Sequence, residues 1–310
     1  MSSQPWPKGD DWEVARYKPV ASALADTAHV FDKNCEDLYT LTELPTALLA
    51  IGNTEVRRMA YVAMGLIRFR PEEPESEDRM RRAHEYATQL LGEEYSPAHA
   101  MNEGAAMLKK VLDIPLAKAG YDALVRSCVA SAWAILESVA RDAWVDALNS
   151  RPNPLGQRAI GLLPGNAPAE DEISRRHISV GLLARHNFDL RACLGTVLAP
   201  KFDFSGVSGI RVAYRVAFED ASHFEAALAD PLLQELEATR HVIVHRAGVI
   251  DDEFHRRVST RGSVGSRLQL TEDDARHFVN AAVRVGNRVL QLLDEYLRKT
   301  PDIDQHTEET

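Results

Sequence analysis

The stretch from Ala117 to Leu148 limits what this chain can become more than any other. Val125, Val129, Ala132, Leu136, Val139 and Ala143 recur there at spacings of four and three. That is the repeat of a long α-helix with one apolar stripe, and such a stripe needs other helices laid along it. The rest of the chain offers them. Leu, Ala, Val, Glu and Arg dominate, and alternating β-branched runs are scarce, so the expected fold class is all-α.

The spacing predicts helices over 11–31 and 38–69, with Pro45 as a start signal, then a polar, proline-bearing loop from Pro71 to Asp78. A helix over 78–91 follows, and Ser96-Pro97 reads as cap and first residue of one running toward Leu112. Ile114-Pro115 breaks the pattern. The expected organisation is therefore a helical region over 1–115, a larger helical domain over 116–300 and a disordered polar tail over 301–310. After the long helix, Pro152, Pro154, Pro164 and Pro168 mark an irregular connection, in which residues 157–163 turn briefly. Shorter helices are expected over 172–185, 189–198 and 209–218, with Phe202 and Phe204 anchoring a turn. Asp230-Pro231 opens a helix that Gly248 ends, residues 256–267 read as a flexible basic loop, and Thr271 caps a last helix to Leu297.

Composition narrows the setting. Apolar residues make up 45% of 310, enough for one large or two modest cores, and no apolar run reaches the roughly 18 residues of a membrane span. The start, Met1-Ser2-Ser3-Gln4, lacks the plan of a signal peptide. Cys35, Cys128 and Cys193 are too far apart for a CxxC pair or a disulfide framework, so buried thiols in a reducing compartment are expected. These features point to a cytoplasmic protein with no membrane partner. A net charge of −10 argues against a surface that binds nucleic acid everywhere. The segment from Arg240 to Arg267 is a local exception, with six arginines and three histidines against Asp251, Asp252 and Glu253. Such a segment suits either a localised phosphate site or a solvated loop.

Within that segment the helix after Pro231 shows Leu232, Leu233, Leu236, Ile243 and Val244 as its apolar face. Arg240 and His245 interrupt the pattern. Arginine offers a permanent five-donor fork for phosphate, and histidine moves a proton near neutral pH. RNA carries its own nucleophile in the 2′-hydroxyl. Its cleavage needs proton transfer and charge stabilisation, and neither a metal nor a cofactor is required. Five residues on an ideal helix turn through about 500°, which leaves the two side chains about 140° apart. Either the arginine's length spans that gap, or a second copy of the helix completes the site across a two-fold axis; the spacing favours the second. His245 also lies in the last turn, where the helix's negative end favours its charged form. His241 and His245, one turn apart, would suit a metal, but no HExxH arrangement or third ligand accompanies them. Gly262-Ser263-Val264-Gly265 lacks the ending of a phosphate loop.

The run from Leu236 to Asp251, with Arg240-His241-Val242-Ile243-Val244-His245 at its centre, resembles the signature of the HEPN superfamily. That signature is an Arg, often followed by a polar residue, with a His four to six residues on, in the last helix of a small bundle. The helix around Ala132–Asp142 is similar to the first long HEPN helix, and Glu137 matches its inward acidic residue. Lys201-Phe202-Asp203-Phe204, Ile210, Tyr214 and Phe218 resemble the middle of bacterial members, and the likeness covers about residues 118–298. It implies an all-α bundle that forms a homodimer and a ribonuclease with Arg240 and His245 as catalytic residues. His241 and Glu137 would support them. An RNase of this kind needs only local positive charge at the cleft, and Arg246, Arg256, Arg257 and Arg261 beside Arg240 are the candidates to supply it and bind RNA phosphate. Many such proteins are toxins or antiviral effectors, some held by an antitoxin or regulatory protein. Two rivals stand beside this reading: an inactive helical dimer that binds a nucleotide or protein, and a purely structural protein in which Arg240 and His245 make interface bonds.

Overall fold

The computed structural model describes residues 17–69, 77–94, 96–161 and 180–300. These form twelve α-helices and no strand, so the fold is all-α. In chain order they are α1 (Ala25–Arg68), α2 (Glu77–Glu94), α3 (Pro97–Val111), α4 (Pro115–Ser150), α5 (Pro152–Gly161) and α6 (Val180–Arg185). Then come α7 (Leu194–Leu198), α8 (Val207–Ala217), α9 (Ser222–Ala227), α10 (Pro231–His245), α11 (Asp252–Arg257) and α12 (Glu272–Lys299). The expectations for the chain start, for 71–76, for the proline-rich stretch beyond Gly161 and for the tail lie outside the described residues.

The described residues divide into two units: Tyr39–Leu124, and 17–38 with 125–300. This differs from a boundary at 115. The side chains of α4 become buried only from Val125 onward, so its first residues belong with the smaller unit.

In the smaller unit the largest departure from expectation is α1, which runs unbroken through Pro45. A proline removes one backbone donor, a cost that packing of its neighbours can offset. Thr42 and Ala50 are buried. Gly104 of α3 lies so close to the Thr46 carbonyl and Ala50 that a Cβ there would collide with both. Ser96 caps α3 as expected, its hydroxyl accepting from the His99 N–H at 3.2 Å.

In the larger unit, α4 is the core. All six stripe residues are buried, and so are Trp133, Ala140, Trp144, Ala147 and Leu148 on its other faces. By length and composition alone α4 is long and apolar enough to span a membrane, which a search for uninterrupted apolar runs passes over. Its buried side chains from Val125 to Leu148 account for that apolarity within the unit. The Trp144 indole donates to the Ala213 carbonyl at 3.0 Å, and the Tyr214 hydroxyl donates to the Ala140 carbonyl at 2.8 Å. Each side chain thus satisfies its polar atom on the other helix's backbone. Phe202 and Phe204 pack on Trp144 with ring centroids at 5.1 and 5.6 Å, the aromatic anchors expected of that turn. The helix expected over 189–198 shortens to α7, because Asn187 and Phe188 take positive φ (52° and 60°) and Asp189 accepts from the Arg191 N–H. Cys35 and Cys128 are buried, whereas Cys193 is only half-buried.

α12 closes the unit. Thr271 and Asp274 form a reciprocal capping box at its start. Near its end, fully buried Asp294 accepts from the Tyr17 hydroxyl and the Ala21 N–H, both at 2.6 Å. Burial pushes the Asp294 carboxyl up, but Tyr17, the Ala21 and Val20 N–H groups and Arg298 outweigh it, and the net shift is downward. Tyr17 moves the other way, to about 12, through burial and its bond to Asp294. A depressed carboxyl stabilises the fold above its unfolded value near 3.9, and that contribution fades as pH falls through the folded value. Asp294→Ala should therefore cost about 2–4 kcal/mol at neutral pH. Urea unfolding across pH should show the gap from wild type holding at pH 7 and narrowing below about pH 4.

Candidate functional site

The site is built on α10. Asp230 caps this helix by accepting from the Leu232 N–H at 3.0 Å, with Pro231 at the first helical position. Its buried residues are Leu233, Leu236, Ala238, Thr239 and Val242. Ala238 and Val242 pack with Ile250, Phe254, Val258 and Leu268. The expected face was wrong at its far end: Val242 points inward, while Val244 is 50% exposed. That rotation leaves Arg240 and His241 half-buried and His245 exposed.

Arg240 Nη1 lies 3.4 Å from His245 Nε2. A guanidinium only donates, so a hydrogen bond here is made by the imidazole tautomer in which Nε2 accepts. The 140° offset is therefore bridged by the length of the arginine within one chain, and the angular argument for a second copy falls away. The His241 and His245 rings lie 5.0 Å apart, centroid to centroid. One exposed helix end thus brings a cation and two imidazoles together.

The turn that ends α10 shapes what lies beside them. Ala247 (φ 52°) and Gly248 (φ 81°) are both left-handed, so the reversal starts one residue before the expected glycine. The Gly248 N–H returns to the Val242 carbonyl at 3.0 Å. Beyond it, Ile250 donates to the Ser266 carbonyl at 2.9 Å and Leu268 to the Gly248 carbonyl at 2.8 Å, and Val249 bridges Arg267. The segment expected to be a flexible loop is thus part helix (α11), part single turn (Ser259–Arg261) and part backbone-paired return.

The arginines expected to bind phosphate are largely engaged elsewhere. Arg246 pairs with Asp251 at 3.2 Å, Arg257 with Glu237 at 2.6 Å, and Arg261 with both Glu235 (2.6 Å) and Asp274 (2.5 Å). Arg256 reaches the Asp252 carbonyl at 3.4 Å. The half-buried, doubly paired Arg261 joins α10 to the start of α12, a structural task. Asp251 is held below the usual carboxylate range, first by the Phe254 N–H it caps and then by Arg246 and His241. Glu137 is half-buried and accepts from the Trp133 indole at 3.1 Å; no hydrogen bond or ion pair joins it to Arg240 or His245.

Two cations that carried no site expectation border the turn after α10. A Cβ on Gly248 would lie 3.9 Å from Arg126 Cδ and 4.0 Å from Arg267 Nε. Arg267 was visible as the last member of the basic segment. Arg126 lies on α4, far from the motif in the chain, and no local pattern links it to the site. Cavities of about 510 Å³ beside Asn149 and Arg151 and about 620 Å³ beside Phe202 and Asp203 lie elsewhere on the unit. The Arg240–His245 pair lines neither of these two. Among the described residues no group of three or more His, Cys, Asp or Glu is arranged to hold a metal ion.

Comparison with protein-family models, with curated proteins and with solved structures finds no match.

Arg261→Ala should leave Glu235 and Asp274 without their shared partner. A loss of about 1–3 kcal/mol in urea unfolding is expected. An unchanged midpoint would show that this lock contributes nothing.

Proposed function

We propose that the chain is a metal-independent endoribonuclease of the HEPN type, acting through Arg240 and His245. The observation that supports this best is their 3.4 Å contact on an exposed helix end. In that contact a guanidinium fork able to bind phosphate and an imidazole able to carry a proton would both reach one scissile group, with a second imidazole at His241 beside them.

The chemistry follows from these groups. A backbone phosphate entering the site exchanges with the imidazole as the partner of Arg240. His245 Nε2 is then free to accept the proton of the 2′-hydroxyl. The 2′-oxygen attacks phosphorus, and Arg240 offsets the charge that builds on the non-bridging oxygens. The 5′-oxygen leaves with a proton from the imidazolium form of His241, and exchange with water then returns both rings to their starting states. The products are a 2′,3′-cyclic phosphate and a free 5′-hydroxyl, so atoms and protons balance with no outside co-reactant. Arg126 and Arg267, at the end of the helix, would hold neighbouring phosphates of the same strand. The resemblance further suggests a homodimer and a toxin or antiviral effector acting on cellular RNA, with any antitoxin or regulator binding over this surface.

The test is incubation of the purified protein with RNA in EDTA. Cleavage is expected, with cyclic phosphate ends. Arg240→Ala and His245→Ala should each slow it by about 10²–10⁴-fold. A 2′-deoxy substitution at the cut site should block it. Cleavage that depends on added metal, or that survives both substitutions, overturns the mechanism. RNA or nucleotide binding without any cleavage would instead favour an inactive binding dimer.

A further inference from the structure

The two histidines of α10 stand in a fixed order along its axis. His241 lies one turn, about 6 Å, before His245, where the helix ends. Beyond comes the turn at Ala247 and Gly248, whose Gly248 N–H returns to the Val242 carbonyl. A Cβ on Gly248 would lie 3.9 Å from Arg126 Cδ and 4.0 Å from Arg267 Nε, so both arginines border the His245 end. The two directions along the helix differ in charge. One turn before His241, Glu237 pairs with Arg257 at 2.6 Å, and Glu235 pairs with Arg261 at 2.6 Å. Those arginines are committed. At the other end Asp251 is held by Arg246 at 3.2 Å and by the Phe254 N–H it caps. Arg126 and Arg267 pair with no carboxylate among the described residues. The uncommitted cations therefore lie on the His245 side.

That order gives a bound strand a direction. This step rests on the ribonuclease reading, in which His245 takes the proton of the 2′-hydroxyl and His241 supplies the proton that leaves with the 5′-oxygen. In-line displacement holds the attacking and leaving oxygens on opposite sides of phosphorus. The nucleoside that carries the 2′-hydroxyl lies 5′ of the scissile phosphate, so it sits at His245, and the nucleoside on the 3′ side sits at His241. A strand laid along α10 then runs with its 5′ part toward the turn. We propose that Arg126 and Arg267 form a subsite for the phosphate next on the 5′ side of the cleaved nucleotide, so that the chain selects RNA by what precedes the cut. A guanidinium fork holds a phosphodiester whatever bases it joins. The selection is therefore for length and direction, not for sequence.

Cleavage of short chimeric strands tests it. The starting substrate is a dinucleotide whose first unit is a ribonucleotide and whose second is a deoxynucleotide, so only one linkage can be cut. Adding two deoxynucleotides on the 5′ side should raise kcat/KM about tenfold, and adding two on the 3′ side should raise it much less. A neutral methylphosphonate at the first 5′ linkage should remove the gain in the wild-type protein, with no substitution needed. Arg126→Gln and Arg267→Gln should each shrink the ratio between the 5′-extended and starting substrates, measured on the same variant. A gain on the 3′ side, equal gains on both sides, or a ratio indifferent to the methylphosphonate would each overturn the subsite while leaving the ribonuclease standing. Cations at a helix C-terminus also offset its negative end. Variants that lose stability in urea with the ratio unchanged would show that this is all the two arginines do. No cleavage of any strand would overturn the subsite and the ribonuclease reading together.

Discussion

Trp144 and Tyr214 reach across the core in opposite directions, each placing its one polar atom on a backbone carbonyl of the other's helix. The larger unit rests on this exchange. A buried indole or phenol without a partner costs more than a typical hydrogen bond contributes. The two bonds therefore favour the observed placement of α8 against α4. Around that placement Phe202 and Phe204 close one side of Trp144, and Phe218 and Phe224 close one side of Tyr214. α10 then packs on α12 and α8. The exposed end that carries Arg240 and His245 is thus positioned by that core.

What could be read from the chain follows from how local each feature is. The stripe of α4 and the caps at Ser96, Asp230 and Thr271 involve neighbours within one or two turns, and the structure has them where the residues indicate. Pro45 misled because a local signal was overruled by packing against α3. The inward residue at the end of α10 was misplaced by two residues, about 200° around the axis: Val242 and Val244 are alike in chemistry, and only the cluster around Ile250 and Phe254 selects the first. The Arg240–His245 contact was underestimated because an angle around a helix axis ignores how far a long side chain can swing. Arg126 was out of reach, since its place beside Gly248 exists only after α4 and α10 have met.

The distribution of charge around the site is more selective than a count of arginines suggests. Carboxylates take Arg246, Arg257 and Arg261 into structural pairs. Arg126, Arg240 and Arg267 have no such partner among the described residues. An acidic chain with a few uncommitted cations at one helix end would bind polyanions weakly over most of its surface. Any grip on a nucleic acid would be concentrated where the imidazoles are.

Asp274 joins two structural tasks. Its carboxylate accepts from the Thr271 N–H and hydroxyl, beginning α12, and also from Arg261, which anchors the segment after α11 to Glu235 on α10. The start of the last helix and the placement of the motif helix therefore share one acceptor. Neither can be retuned by itself: a sequence drifting at this position would have to find a new cap and a new anchor in the same step. The geometry of the exposed Arg–His end is in this sense inherited from a turn that never touches it.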